Sequence, residues 1–253
     1  MSSLPDWIQL LGYLFFAAAL LVALYFLWPG GEPPRPTAAP ATWPRRKAAP
    51  PRAPHLEDVA ALIERTDAHE RYPAGHAARV ARLASALAHA VGVEREERGR
   101  IHQAALLHDL GMLDVATDLV AKPQLLTQAE FLQVARHTLR GAARALEITG
   151  DREVAGWVRW SHERWDGLGF PDGLAGEQIP LGARILRLAD SAEAMLQDRP
   201  YRPALVPDEV KAEINRLAGI AFDPMLAAVF VDYVLPRQLL QEVEGAEAPG
   251  PEA

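Results

Sequence analysis

Apolar residues recur at helical spacing along the chain beyond residue 73, and this period restricts the fold more than any other sequence feature. Over residues 74–91, one face of the predicted helix carries Val80, Leu83, Ala84, Leu87 and Val91. The alternation of apolar and polar residues that is typical of half-buried strands is not found in the sequence. The pattern therefore predicts an all-α fold, a bundle of about seven or eight helices.

Capping residues and helix breakers divide this stretch into successive helices. A second helix begins near Ile101 and ends at Gly111. Thr127 and Glu130 have the spacing of a capping box, which opens a helix predicted to continue to about Leu146. The remaining helices are predicted over 154–162, over 180–197, and after the first-turn prolines Pro207 and Pro224.

An uncharged apolar segment lies near the N-terminus. Residues 7–28 read WIQLLGYLFFAAALLVALYFLW, and Gln9 is their only strongly polar residue. As a helix this segment would be about 33 Å long, enough to cross a bilayer, and Trp7 and Trp28 would lie near the two headgroup regions. A cleaved signal peptide is the alternative, but residues 1–6 lack the basic side chains that it requires. The sequence therefore predicts a short tail over 1–6 followed by a transmembrane helix over 7–28.

The charges around this segment predict its orientation. Five basic residues follow it within 29–54 and none precedes it, so the positive-inside rule places the C-terminal side in the cytoplasm. The predicted location is the inner (cytoplasmic) membrane, with a single pass. Residues 29–54 are rich in Pro and Ala and read as an extended linker, whose basic cluster either contacts anionic lipid or is simply solvated. The predicted globular domain covers 55–239, and an acidic tail covers 240–253.

Composition excludes one class of partner and one type of metal ligand. The formal net charge is −7, and the basic residues concentrate in the linker, so the globular part is acidic. Affinity for polymeric DNA or RNA depends on neutralising phosphates with Lys and Arg, and such a domain is not suited to it. The chain has no cysteine, so any metal must be held by His and carboxylates.

Histidines and aspartates occur singly on successive predicted helices. His108 and Asp109 form a pair at a helix end, and the chain has one further candidate ligand on each neighbouring helix: His76, His137, His162 and Asp190. The pair alone would mean little, since helix ends carry such pairs by chance. Helical bundles, however, build metal sites by converging one such residue from each of several helices. Imidazole and carboxylate without thiolate favour Fe, Mn, Zn or Co.

The order of motifs from Glu70 to Phe230 resembles the HD-GYP family of the HD superfamily. The matching segments are YPAGH (72–76), AALLHDLG (104–111), KP (122–123), HERWDGLGFP (162–171), ARILRLAD (183–190), RPYR (199–202) and FDP (222–224). The resemblance implies an HD-type helical bundle that hydrolyses cyclic di-GMP or a related cyclic dinucleotide.

The resemblance also implies roles for particular residues. Two divalent transition metal ions would be held by His76, His108, Asp109, His137, His162 and Asp190. Asp109 would bridge the ions, and with His108 it would form the catalytic pair. Two such ions clamp a phosphodiester between them. Substrate contacts are expected from Asp166, Gly167, Gly169, Phe170, Pro171, Arg199 and Arg202, although the two arginines would equally suit ion pairs that tie down a loop.

Several positions depart from the family pattern. Met112 stands where the family has a lysine, and Ser161 stands where it has the first histidine of a His-His-Glu motif. Phe170 replaces the tyrosine of the Gly-Tyr-Pro motif, and Tyr72 stands where three-metal members have a glutamate, which favours two metals. Two functions therefore stay open: a phosphodiesterase of reduced activity, or a degenerate domain that binds nucleotide or docks on a protein. Its input would come through the membrane helix, a homodimer or a signalling partner.

Overall fold

The computed structural model describes residues 56–122, 124–198 and 203–237, and the fold of these ranges is all-helical. They form nine α-helices of at least six residues and one shorter helix, with no β-strand. In chain order the helices are α1 Leu56–His69, α2 His76–Ala90, α3 Arg95–Leu107, α4 Thr117–Val120, α5 Gln128–Ala135, α6 His137–Thr149, α7 Arg152–Arg159, α8 Leu181–Leu196, α9 Pro207–Leu217 and α10 Pro224–Val229. A 3₁₀ turn, Leu110–Asp114, follows α3, and a π turn, Phe230–Val234, follows α10. The predicted all-α class is confirmed.

The helix predicted from Thr127 to about Leu146 is in fact two helices. The capping box forms as expected, since the Thr127 side chain and the Glu130 side chain each bond to the other's backbone N–H. The helix then ends at Ala135, and α6 begins at His137 after Arg136. This break partly explains why the described helices outnumber the predicted seven or eight.

A continuous apolar core lies between α2, α3, α7 and α8. Its largest fully buried members include Leu87, Ile101, Ile185, Leu188 and Phe230. Burying a side chain of this size contributes about 1.5–3 kcal/mol each. Many other core positions are alanines, which allow the helix axes to approach closely: Ala81, Ala84, Ala104, Ala105, Ala183, Ala189 and Ala192. Close packing of these helices brings their polar positions together at one end of the core.

Two glycines allow the 3₁₀ turn to lie directly on α6. A Cβ on Gly111 would come within 1.9 Å of the His137 carbonyl oxygen and 2.6 Å of the Gly141 nitrogen. A Cβ on Gly141 would come within 3.2 Å of the His108 carbonyl oxygen. Because neither residue has a Cβ, the segment that carries His108 and the start of α6 are in backbone contact.

In the part of the chain that the structure describes, no helix is long and apolar enough to cross a membrane. The longest, α8, has 16 residues, whereas a transmembrane helix needs about 20 apolar ones. The predicted span over 7–28, the linker over 29–54 and the tail over 240–253 lie outside the described residues. On this finding the predicted inner-membrane location is wrong, because no described helix has the length that it requires.

Candidate metal centre

Four side chains from three segments converge on one point, which we call the first position. His76 begins α2, His108 and Asp109 follow α3, and Asp190 lies on α8. His108 Nε2 lies 3.0 Å from Asp109 Oδ2, and His76 Nε2 lies 3.6 Å from the same oxygen. Asp190 Oδ1 lies 3.7 Å from both imidazole nitrogens. Ligand atoms about 2.1 Å from a common ion are separated by about 3–3.5 Å, so this spacing fits one coordination sphere.

The first position has a strongly negative potential. Burial opposes the charged form of His108, yet contacts with Asp109 and Asp190 outweigh it and raise the pKa of His108 well above its usual value. The pKa of Asp190 falls to about 2 despite burial, because the neighbouring His108 favours the carboxylate. The site therefore attracts positive charge, which a divalent cation supplies when it displaces the protons.

Glu193 orients the His76 ring by contacting Nδ1, the nitrogen that does not face the first position. This residue was not predicted from the sequence. Its Oε2 lies 2.7 Å from His76 Nδ1, and its Oε1 accepts a 2.8 Å hydrogen bond from Arg79 Nε. A carboxylate on Nδ1 fixes the tautomer that leaves Nε2 free to bind a metal. Glu193 lies three residues after Asp190 and so on the same face of α8, a spacing that could have revealed it.

The second position lies on the other side of Asp109. Asp109 Oδ1 is 4.0 Å from His137 Nε2, and a set of ligand atoms from Asp109, His137 and His162 lies within 4.8 Å. His137 Nδ1 bonds to the Val134 carbonyl at 2.8 Å, just before the break between α5 and α6. Burial lowers the pKa of His137, which keeps it neutral and able to act as a ligand.

The His162 ring lies between an aromatic ring and a cation. Phe170 stacks on it with a centroid distance of 5.1 Å and an interplanar angle of 5°. At the ring edge, Arg187 Nη1 lies 3.4 Å from His162 Nδ1. Burial, His137 and Arg187 together hold the pKa of His162 well below its usual range. Burial also lowers the pKa of Arg187 to about 10, so the guanidinium stays protonated at neutral pH.

The segment after His162 is held as a rigid loop. Glu163 accepts hydrogen bonds from the backbone nitrogens of Asp172, Gly173 and Leu174 at 2.7, 3.1 and 3.1 Å. Burial nevertheless raises the pKa of Glu163 to about 7. A Cβ on Gly169 would come within 2.4 Å of the Arg164 nitrogen, so only glycine fits there. The loop thereby carries Phe170 to the His162 ring.

The predicted substrate residues differ in their placement. Phe170 lies at the metal centre, with its ring 6.4 Å from that of His137. Asp166 instead pairs with Arg164 through a hydrogen bond of 3.0 Å and accepts from the Leu168 nitrogen, which is a loop-supporting role. Gly167 has a φ of 78° and turns the chain there. Arg199 and Arg202 lie outside the described residues.

Two of the departures from the family pattern are integrated into the fold. Met112 is 7% exposed and packs in an apolar cluster with Val115, Leu126 and Val134. A lysine there would place an ammonium among apolar side chains. Ser161 is buried, and its hydroxyl donates to the Val158 carbonyl at 3.0 Å. Both side chains therefore make contacts of their own at the positions where the family has a lysine and a histidine.

Glu70 is a further carboxylate that sequence reasoning passed over. Its Oε2 is buried without a hydrogen-bond partner, and burial and the Asp109 carboxylate raise its pKa well above the usual value. Tyr72, two residues on, contacts the His76 ring at 4.3 Å. Glu70 is thus held in its protonated, neutral form beside the Asp109 carboxylate.

The donor set fits a divalent metal ion. The Nε2 atoms of His76, His108, His137 and His162 are all buried and lack a hydrogen-bond partner. Buried polar atoms are normally satisfied, so a convergent group of unsatisfied ones indicates an expected ligand. Imidazole and carboxylate donors suit transition metals such as Fe, Mn and Zn.

Comparison with known proteins places the chain in a family. Residues 54–226 match the family model of the HD domain, so the chain belongs to the HD domain family. The resemblance to HD-GYP proteins that its motifs predicted is confirmed.

Relatives of known activity share part of the chain. It is 33% identical over 166 residues to 3'3'-cGAMP-specific phosphodiesterase 3 of Vibrio cholerae, covering 66% of this chain and 36% of that protein. It is 38% identical over 149 residues to the cyclic di-GMP phosphodiesterase response regulator RpfG of Xanthomonas campestris, covering 58% and 39%. The chain thus spans less than two fifths of the length of these relatives.

Two solved structures share the fold. One is a cyclic GMP-AMP specific phosphodiesterase of V. cholerae, with a TM-score of 0.57, 20% identity, and coverage of 76% of this chain and 50% of that one. The other is an HDGYP protein of Bdellovibrio bacteriovorus, with a TM-score of 0.51, 17% identity, and coverage of 71% and 65%. At this level of identity they establish the HD-type fold of the described residues.

Proposed function

We propose that this chain is a metal-dependent phosphodiesterase that hydrolyses a cyclic dinucleotide. The observation that carries the proposal is the first position, where two histidines and two aspartates bring four ligand atoms together. Three of the pairwise distances lie between 3.6 and 3.7 Å and one is 3.0 Å. A purely structural cluster would pair its buried imidazoles with hydrogen-bond partners, yet these Nε2 atoms have none.

The candidate ligands fall into two groups, one for each position. His76, His108, Asp109 and Asp190 would hold one ion, and Asp109 and His137, with His162 beside them, would form the second position. When bound, such ions supply Lewis acidity to a phosphodiester and a nucleophilic water at neutral pH. The chain's own contribution is to fix these ligands: Glu193 orients His76, and backbone carbonyls orient His108 and His137.

The substrate class follows from the relatives and from charge. Relatives that match 66% and 58% of this chain are named as phosphodiesterases of 3'3'-cGAMP and cyclic di-GMP. An acidic domain lacks the extended basic surface that binds polymeric nucleic acid, whereas a small phosphodiester needs only the metal and a few donors. We take cyclic di-GMP as the substrate to test first, and residues 55–239 as the catalytic unit.

We expect turnover slower than the roughly 1–10³ s⁻¹ of typical enzymes. Met112 supplies no ammonium to the phosphate, because its side chain is a neutral thioether, and it is buried in an apolar cluster. Electrostatic groups of this kind are typically worth about 10²–10³ in rate.

The test is turnover by the purified full chain loaded with Mn²⁺. Cyclic di-GMP and 3'3'-cGAMP are supplied in parallel, and linear products are separated by chromatography. Product formation that EDTA and Asp109→Asn both abolish would support the proposal. The control is His89→Gln, which alters an exposed histidine remote from the centre and should leave the rate unchanged. No product from either nucleotide with Mn²⁺, Fe²⁺ or Zn²⁺ would contradict it.

A binding module is the second candidate, and the settled packing of Met112 and Ser161 favours it. Such a module would retain metal and bind cyclic di-GMP without cleaving it. Equilibrium binding of the intact nucleotide, combined with no product in the turnover assay, would establish this function instead.

A further inference from the structure

Three histidines of the metal centre differ in what faces Nδ1. His108 Nδ1 bonds to the Ala105 carbonyl at 2.8 Å, and His137 Nδ1 bonds to the Val134 carbonyl at 2.8 Å. A carbonyl oxygen can only accept, so both rings carry their proton on Nδ1. Nε2 is therefore the nitrogen at which a metal would bind, and in His108 it would replace the second proton that Asp109 and Asp190 favour.

His162 has the opposite arrangement. Its Nδ1 faces Arg187 Nη1 at 3.4 Å, and a guanidinium can only donate. Nδ1 must then accept, which excludes the doubly protonated ring and puts the ring's proton on Nε2. This Nε2 is buried without a hydrogen-bond partner, beside His137 and Asp109.

We propose that His162 is a hydrogen-bond donor to the substrate phosphate, and not a metal ligand, because Arg187 fixes the tautomer that protonates its Nε2. This inference rests on the proposed phosphodiesterase function and assigns one of its residues a different role. His162 would donate to a non-bridging phosphate oxygen and keep its proton throughout. Arg187 is then a positioning residue that acts through the ring.

The surroundings hold this tautomer in place. Arg187 lies on α8, three residues before Asp190, and is 5% exposed. The charges of Asp190 and Asp166 favour its guanidinium, and Phe170 stacks on the His162 ring from one face. The ring thus contacts a cation at Nδ1 and an aromatic plane on one face, while Nε2 is buried without a hydrogen-bond partner close to His137 and Asp109.

The proposal changes the ligand count at the second position. Without a lone pair from His162, this position has Asp109 Oδ1 and His137 Nε2, 4.0 Å apart, as its protein ligands among the described residues. The first position keeps four. A neighbouring guanidinium further disfavours a second dication. His162 and Arg187 together instead supply a polarised hydrogen-bond donor.

The direct test is the tautomer in the full chain loaded with Zn²⁺, which is diamagnetic. Long-range ¹H–¹⁵N correlation spectra of the histidine-labelled chain distinguish a protonated nitrogen from an unprotonated one. The expected result is a protonated Nε2 in His162 and a protonated Nδ1 in His108 and His137. His162→Gln and Arg187→Leu assign the signals. A protonated Nδ1 in His162, matching the other two, would overturn the proposal.

Metal titration provides the second arm, which does not depend on how Arg187→Leu folds. His162→Gln should bind Zn²⁺ with the parent's stoichiometry and within about twofold of its affinity, while turnover falls by about 10²–10³. Loss of a bound ion in His162→Gln would show that the residue is a ligand and would sink the proposal. Arg187→Lys, which keeps a donor, should retain the parent tautomer.

These readouts separate the inference from the proposed function. The tautomer and the ion count need no turnover. A chain with the expected tautomer that cleaves neither nucleotide would refute the phosphodiesterase proposal and leave His162 as a donor to a bound phosphate. A chain that cleaves the nucleotide but coordinates metal through His162 would refute only the inference.

Discussion

The two positions of the metal centre share Asp109 but differ in how many ligand atoms they have and in how those ligands are oriented. The first position has four ligand atoms within 3.7 Å of their neighbours, and a carboxylate and a backbone carbonyl orient its histidines. The second has Asp109 Oδ1 and His137 Nε2 at 4.0 Å, with His162 turned toward a guanidinium. The comparison shows that ligand residues found by motif are not equivalent, because the groups behind them decide which can bind an ion.

Asp109→Asn should have the largest effect, because this carboxylate serves both positions. We expect affinity for Mn²⁺ to fall by more than about 100-fold, beyond the loss typical of outer partners. Metal content after desalting measures it, with His89→Gln as the matched control. Unchanged metal retention would show that the cluster is not the metal site.

His76→Gln and His137→Gln test the inequality of the two positions. The first variant removes a ligand from the four-ligand set and should lose the tightly held ion. The second should lose only the weaker ion and keep a stoichiometry near one. Isothermal titration of each metal-free variant with Mn²⁺ checks this. Equal losses in both variants would mean that the positions are equivalent.

Glu193→Gln should weaken the first position without removing a ligand. The carboxylate holds His76 Nδ1 at 2.7 Å, and partners of this kind are worth about 10–100-fold in metal affinity. Glu153→Gln is the control, since Glu153 is an exposed carboxylate that also pairs with an arginine, Arg100. An affinity equal to the parent's would show that Glu193 does not orient His76.

Glu130→Gln should have the smallest effect, confined to the support of the second position. Glu130 caps α5, whose Val134 carbonyl orients His137. The hydrogen bond from Lys122, with those from Thr127, holds the pKa of Glu130 at about 2, below its usual 4.5. Its stabilising contribution is therefore present above pH 4.5 and is lost as pH falls through 2.

Thermal unfolding of the parent and of Glu130→Gln between pH 2 and 6 measures this contribution. The difference in Tm should be largest above pH 4.5 and should shrink toward zero at pH 2. A difference that grows as pH falls would contradict the assigned sign.

The sequence predicted the ligands better than their surroundings. His108 and Asp109 are adjacent at the end of a predicted helix. His76, His137 and Asp190 each lie on a separate predicted helix, so the sequence pattern was enough to find them. Glu193 and Arg187 act through tertiary contacts across the bundle, with partners 117 and 25 residues away. The three-residue spacing from Asp190 puts Glu193 on the same face of the helix, but the sequence does not show which side chain it contacts. The influence of both residues on tautomer depends on packing that periodicity does not encode.

The sequence pattern also failed to predict two structural details. The break at Arg136 interrupts a continuous helical period, because the turn must bring His137 against the Val134 carbonyl. Met112 reads as a lost functional lysine, yet its environment is an apolar cluster that only the folded chain reveals. The membrane location was inferred from the apolar segment 7–28 and its basic flank, and no described helix bears it out.

The most direct measurement is a titration of the metal-free full chain with Mn²⁺, followed by calorimetry. The account predicts two separable steps: one ion bound tightly at the four-ligand position, and a second bound at least about tenfold more weakly. His76→Gln should abolish the first step, and His162→Gln should leave both steps in place. A single step for two equivalent ions, or no binding at all, would contradict the central claim that this chain holds an asymmetric metal centre.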